Sequence, residues 1–324
     1  MLNKKILITG GAGFIGYNLS KSLVDKKYSI QIIDKEPINF YKKKFNFLKK
    51  SSKFSYKQID LSSQIKNKFF NFSHAFHLAA SLGVKNIDKN PYKAFKNNIN
   101  SLINLIDNLK KNSPNCILIY FSSSEVYSPL VEKNKVKIPT EEDIDLLINK
   151  NIINRDSYYL SKLLGEKILQ LSGLKYVILR PHNVYGPFMG YRHVISELIK
   201  KMSNDNKKKT KNVKIFSPNH TRSFCYIDDA INQITNISFN KKSLNKIINI
   251  GNSKDEIKIY KLAELIKYIL KSNIVLKKGE ITPGSPSRRV PDMKKNIKIT
   301  NLKRLVSLKD GIKKTIDWAH KKSK

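Results

Sequence analysis

The chain is poor in cysteine, in arginine and in acid, and each shortage excludes something. Among its 324 residues there are two cysteines, Cys116 and Cys225, each in an apolar strand-like run. No disulfide framework can be built from them, and they read as reduced core residues of a cytoplasmic protein. No apolar run approaches the roughly 20 residues of a membrane span, so no membrane partner is expected. A first strand that begins by about residue 4 argues against a secretory signal. Arginine accounts for only seven of the 62 basic residues, and Asp and Glu together number 25, which leaves a formal net charge of +37. That surplus invites a nucleic-acid reading. The lysines are scattered, however, often beside Asn and Ile. The short clusters Lys42-Lys43-Lys44 and Lys207-Lys208-Lys209 lack the interleaved aromatic platforms of single-strand binders. The surplus therefore implies loose attraction to polyanions and no specific nucleic-acid partner.

What is present is globular: 40% hydrophobic residues, with 15 Phe and 15 Tyr. Strand-like runs near residues 5–9, 29–34, 54–59, 74–78, 116–122 and 175–180 are separated by helical patterns. This alternation predicts an α/β fold with a doubly wound parallel sheet. Ile6-Leu7-Ile8 leads into Gly10, Gly13 and Gly16, with Phe14, Ile15 and Leu19 opening a helix that runs to about Lys26. A strand turning through glycines into a helix presents bare N–H groups and a positive dipole end, which suits a pyrophosphate. Asp34, at the end of the second strand, can accept hydrogen bonds from ribose hydroxyls and would repel a 2′-phosphate. NAD is favoured over NADP, although Lys35 follows directly. Asp60-Leu61 stands where an adenine edge is expected, with a helix N-cap as an equal alternative. Ala79 and Ala80 end the fourth strand and let backbone approach a flat ligand, while His77 reads as packed and hydrogen-bonded. Residues 35–52 read as a basic surface insertion. A long helix over 91–111 has Leu102, Ile103, Leu105, Ile106 and Leu109 at helical spacing.

The fifth strand ends in Ser122-Ser123-Ser124-Glu125-Val126-Tyr127, at the sheet edge that faces the crevice of such folds. Those hydroxyls alone could be turn chemistry. Tyr158 and Lys162, four residues apart on a predicted helix, change that reading. They share one face. An ammonium near a phenol favours the phenolate, and such a tyrosine can take a proton from a substrate hydroxyl near neutral pH.

At this point the chain resembles the NAD-dependent epimerase/dehydratase family, the extended short-chain dehydrogenases/reductases that modify nucleotide sugars, over nearly its whole length. The resemblance implies a Rossmann domain over 1–180 and a smaller mixed α/β substrate domain over 181–324, with some chain crossing between them. Asn98 to Leu105 is similar to the family's Asn helix, with Ser101 where Gly is frequent, and implies that Asn98 holds active-site backbone. Ser123 matches the catalytic Ser/Thr, with Tyr158 and Lys162 as the acid–base pair. Ser128 replaces a usual Gly, which puts the shape of that turn in question. Within Leu179 to Pro187, Asn183 is implied to contact the diphosphate. Thr221 to Asp229 resembles the second-domain signature, with Arg222 toward a phosphate. Asn249-Ile250-Gly251-Asn252 and Pro283 to Asp292 complete the pattern, with Arg289 as the other diphosphate clamp. An arginine fork can bind phosphate oxygens in pairs.

The implied function is epimerisation of a nucleoside-diphosphate sugar, UDP favoured, through a transient 4-keto sugar with tightly bound NAD. Glu125 is the discriminator, because a carboxylate there could act at C5 in a UDP-glucuronate decarboxylase, the close alternative. Ser124 stands where 4,6-dehydratases place Asp, which disfavours dehydration. The segments Ser81-Leu82-Gly83-Val84 and Met189 to Ile195, Val194 included, look epimerase-like and imply that Ser81, Ser124 and Val194 line the substrate. A catalytically inactive RNA-binding relative is the remote alternative, and a reductase that releases its cofactor each cycle is another. The apolar faces of helices 91–111 and 156–172 predict a homodimer.

Overall fold

Ile6, Leu7 and Ile8 are fully buried, because a parallel strand in mid-sheet is covered on both faces and so reads as an unbroken apolar run. The computed structural model describes residues 4–38, 45, 51–65, 68–81, 90–191, 193–203, 212–302 and 305–323. Strands β1 (Lys5–Thr9), β2 (Ser29–Asp34), β3 (Phe54–Gln58), β4 (His74–His77), β5 (Ile117–Phe121) and β6 (Tyr176–Pro181) each fall within a residue of the sequence expectation. A seventh, β7 (Lys246–Ile250), was not anticipated; Lys246 and Asn249 interrupt its short apolar run. The order across the sheet is β3-β2-β1-β4-β5-β6-β7. The first five pairings are parallel. β7 runs with β6, since Asn245 N donates to Tyr176 O at one end and His182 N to Ile250 O at the other. This is the doubly wound sheet, with its topological switch between β1 and β4, where such folds bind ligands.

Helix α1 (Phe14–Asp25) follows the glycine loop directly. Helix α2 (Pro91–Asn112) is started by Asn90, whose side chain accepts from Lys93 N, with Pro91 in the first turn. Leu102, Leu105, Ile106 and Leu109 enter the core against Leu7, Ala75, Leu118 and Ile178 of the sheet. Ile103 departs from the sequence expectation. It is 38% exposed, because one residue on from Leu102 the helix has turned off the buried stripe. Helix α3 (Asp156–Leu171) packs beside α2. The close approach of α3 to β5 depends on Gly165, where a Cβ would run into the Tyr120 hydroxyl.

Most of the region read as a surface insertion, and both lysine clusters, lie outside the described residues. Phe45 is described and is fully buried against Tyr17, Phe54 and Tyr56. That part of the insertion is therefore anchored in the core. Cys116 and Cys225 are free and buried. Among the described residues no helix is long and apolar enough to cross a membrane.

The chain divides into two compact units. The first comprises Met1–Val126, Ile148–Arg180 and Ile234–Ile248, and the second Tyr127–Leu147, Pro181–Gln233 and Asn249–Lys324. Within the second, strand Thr221–Ser223 lies between Glu256–Lys258, antiparallel, and Arg288–Arg289, parallel. Asn249 is its polar hub. Its N–H donates to Glu142 at 2.8 Å, its amide donates to the carbonyls of Thr140 and Asp292, and its oxygen accepts from the Tyr127 hydroxyl at 3.0 Å.

Candidate active site

The glycine loop is shaped by close backbone contact. Gly10 adopts φ +67°, and a Cβ there would stand 2.6 Å from Ala79 N. At Gly16 a Cβ would meet Gly10 O at 2.5 Å, so α1 and the loop are in contact. Gly13 caps α1, and Phe14 and Ile15 form its first turn with their N–H groups toward the loop. Asp34 Oδ2 accepts from Ala12 N at 3.1 Å and Oδ1 from Glu36 N at 3.3 Å. Burial raises the Asp34 carboxyl's pKa, and these N–H bonds oppose the rise. A cleft runs from here along the strand ends, lined by Gly10, Gly13, Asp34, Asp60, Leu61, Ala79, Ala80, Ser81 and Asn98. Glu36, Asn97 and Ser101 also line it, without having been anticipated. Asp60 is no helix cap: its carboxylate closes a turn on Ser62 N and Oγ at 2.9 and 2.7 Å.

Two side chains fix the cleft's far wall. Asn98 Oδ1 accepts from Ser81 N at 2.6 Å, and its amide donates to Ser161 Oγ at 3.0 Å, joining α2, the β4 end and α3. Thr9 was missed by sequence reasoning. Its hydroxyl is 2.8 Å from His77 Nδ1 and accepts from Ala79 N at 3.4 Å, which ties the first strand end to the fourth. Burial pushes the His77 pKa down to about 3, so this imidazole is neutral and packed.

The second cluster forms where β5 ends. Ser123 is half-buried and accepts from Glu125 N at 3.2 Å, and buried Ser124 opens a 3-10 turn, Ser124–Tyr127. Ser128 begins a short helix, Ser128–Glu132, with Tyr127 at φ −87°, so this turn needs no glycine. Lys162 Nζ donates to Phe121 O at 2.7 Å and lies 5.9 Å from the centre of the Tyr158 ring. This brings the Tyr-x-x-x-Lys helix against the strand end that carries Ser123. Burial lowers the Lys162 pKa to about 8 and Glu166 opposes the fall, so the side chain is still an ammonium at neutral pH. Glu125 lies 3.6 Å from Arg155. Arg155, at the N-cap of α3, carried no sequence signal beyond the rarity of arginine. Glu166 was legible only as the next i+4 step after Lys162.

In the second unit Asn183, at φ +39°, donates to Ser223 O at 2.9 Å. Arg222 is turned onto its own loop: Nη1 donates to the carbonyls of Thr221 and Ser287, Nη2 to Pro286 O and Ser285 Oγ. It therefore braces residues 285–287, directly ahead of Arg289 in strand Arg288–Arg289. Arg288 pairs with Glu256 instead. Val194 opens a helix, Val194–Ser203. Leu82, Gly83, Val84 and Arg192 lie outside the described residues.

The cleft fits a dinucleotide. It offers a glycine loop packed so closely on the β4 end that Gly10 has no room for a Cβ, an acid at the end of the second strand, and small side chains at Ala79 and Ala80. Comparison with known proteins agrees. Residues 6–251 match the NAD dependent epimerase/dehydratase family. The chain is 31% identical to a UDP-N-acetyl-alpha-D-glucosaminuronate decarboxylase of Bacillus cytotoxicus, covering 98% of each. It is 27% identical to a UDP-glucuronic acid 4-epimerase from Bacillus cereus solved with UDP-glucuronic acid and NAD, with a TM-score of 0.79 over 98% of this chain and 99% of that one. A UDP-glucose 4-epimerase from Thermotoga maritima shares the fold at 22% identity and TM-score 0.81, covering 99% of this chain and 100% of the other.

Proposed function

We propose that this chain, which belongs to the NAD-dependent epimerase/dehydratase family, inverts C4 of a UDP-sugar through a transient 4-keto sugar. NAD is its cofactor, held by the Gly10–Gly16 loop and Asp34; when bound, it supplies a hydride acceptor for C4 that can return the hydride within the same turnover. The observation that supports the reading is the 2.7 Å bond from Lys162, on the helix that carries Tyr158, to Phe121 O, two residues before Ser123. Tyr158, as phenolate, takes the proton of the C4 hydroxyl as the carbonyl forms and gives it back on reduction. The Lys162 ammonium stabilises that phenolate. Ser123 Oγ hydrogen-bonds the reacting oxygen and fixes its direction. By the family resemblance Arg289, on the strand that Arg222 braces, and Asn183 are assigned to the diphosphate, and Ser81, Ser124 and Val194 to the substrate.

A second reading is decarboxylation of a UDP-hexuronate, and Glu125 favours it. Its carboxylate stands two residues beyond Ser123 with Arg155 as counter-charge. A C5 carboxylate can leave as carbon dioxide once C4 is a ketone, because that ketone accepts the electron pair. Incubation with UDP-glucose, UDP-glucuronate and their N-acetylated counterparts separates the readings. Unchanged mass with inverted C4 supports epimerisation, and loss of the mass of carbon dioxide supports the second reading. No change in any of them overturns both.

The exposed Ile103 on α2 and Leu164 on α3 support a homodimer through these helices, and light scattering that finds a monomer at micromolar concentration would remove it. Purified protein that carries NAD through gel filtration is expected of a site that regenerates its cofactor internally.

A further inference from the structure

Ser122, Glu166 and Arg180 form a buried cluster that the reaction, as read above, does not use. Glu166 is 0% and Arg180 2% exposed. Arg180 Nε donates to Glu166 Oε1 at 2.9 Å and Nη2 to Oε2 at 2.7 Å, a bidentate fork. Ser122 Oγ donates to the same Oε1 at 2.5 Å. One helical turn earlier, Lys162 reaches the carbonyl of Phe121. Two consecutive residues of the β5 end are thus bonded to two successive turns of α3, immediately before Ser123. Tyr158, Lys162 and Glu166 follow one another at four-residue steps on one face. A buried ion pair adds little net stability over well-packed apolar side chains, so stability alone gives no account of this one.

We propose that Glu166 is a positioning residue of the reaction centre, which holds the Ser123 end of β5 against the catalytic helix and supplies the counter-charge that keeps Lys162 an ammonium. Arg180 gives the buried Glu166 carboxylate a bidentate partner. The groups facing Lys162 are Tyr120 on β5, with its ring centre 5.1 Å from Nζ, His77 on β4, Tyr158 on its own helix, and Glu166 with Arg180 behind it. The imidazole is neutral, and burial holds the Tyr120 phenol protonated; Tyr158 is the base that Lys162 itself serves. Glu166 is the group acting on Lys162 to favour its charge.

The proposal rests on C4 oxidation by Tyr158, and its test uses the cofactor-loaded enzyme. Glu166→Gln keeps the shape and the contact to Ser122 but removes the charge. Lys162 then loses its proton more readily, so the alkaline limb of the kcat profile moves to lower pH by about one unit. KM for the nucleotide sugar changes little. Glu166→Asp keeps the charge with a shorter reach, so the limb stays in place while kcat falls, by up to about a hundredfold for a displacement near 1 Å. If Glu166→Gln alone does not fold, Glu166→Gln/Arg180→Gln removes both charges and the same limb displacement is expected. A uniform loss of kcat with the limb unmoved in both neutral variants overturns the counter-charge, and undiminished kcat in Glu166→Asp overturns the positioning. The Lys162 titration can also be followed by NMR, identified by its absence in Lys162→Met. That readout needs no turnover, so it separates failure of this proposal from failure of the C4 reading.

Discussion

Replacing Gly165 by alanine tests whether the α3–β5 contact sets the reaction geometry. A Cβ at this position would overlap the Tyr120 hydroxyl, stand 2.7 Å from Tyr120 Cζ, where ordinary contact begins at 3.4 Å, and lie 3.2 Å from Leu102 Cδ2. Tyr120 is 3% and Leu102 0% exposed, so neither can swing aside. The helix must therefore retreat by about 1 Å, at the cost of roughly 1–3 kcal/mol for an overpacked core. Alanine returns about 1 kcal/mol through helix propensity. The net loss is about 0–2 kcal/mol, and Tm falls by no more than about 5 °C. Catalysis is more sensitive. A retreat of this size stretches the 2.7 Å bond from Lys162 to Phe121 O beyond hydrogen-bond range, and misplacement of that order costs up to about a hundredfold in rate. Thermal unfolding and steady-state kinetics on the same preparation give both numbers. A folded variant with kcat within twofold of the parent would refute the claim that the packing of α3 on the β5 end sets the reaction geometry.

Three further outcomes follow from the site. Tyr158→Phe removes the proton acceptor, so turnover falls by about 10²–10⁴-fold while cofactor content, read from the absorbance of the purified protein, stays the same. Asp34→Ala deletes the acceptor that also holds Ala12 N. Calorimetric titration should then show weaker NAD binding and a relative gain for NADP, and an unchanged preference would remove Asp34 from the ribose. Burial lowers the pKa of His74 to about 4 and of His77 to about 3. The unfolded chain protonates both below about 6.5, whereas the folded one does not. Their contribution is therefore intact above pH 6.5 and is lost as pH falls toward 4, at about 1.4 kcal/mol per pH unit for each histidine. Urea unfolding between pH 7 and 4 should show that slope, and His77→Asn should flatten it.

The sequence by itself determined the layers and the cofactor. Two-sided burial makes parallel strands read as apolar runs, and the glycine spacing with Asp34 announces the cofactor, because both patterns are local in the chain. Tyr158 and Lys162 were legible for the same reason, since a four-residue step on a helix needs no tertiary information. What the tertiary structure decided lies between elements. Thr9 meets His77 across 68 residues, Asn98 reaches Ser161 across 63, and Ser122 reaches Glu166 across 44. Arg222 makes the same point within one unit: its guanidinium donates to the carbonyls of Thr221, Pro286 and Ser287 and to the Ser285 hydroxyl, a set of partners its motif did not announce. A residue's type fixes which bonds it can make; the fold alone places the partner within the 3 Å or so that a hydrogen bond requires.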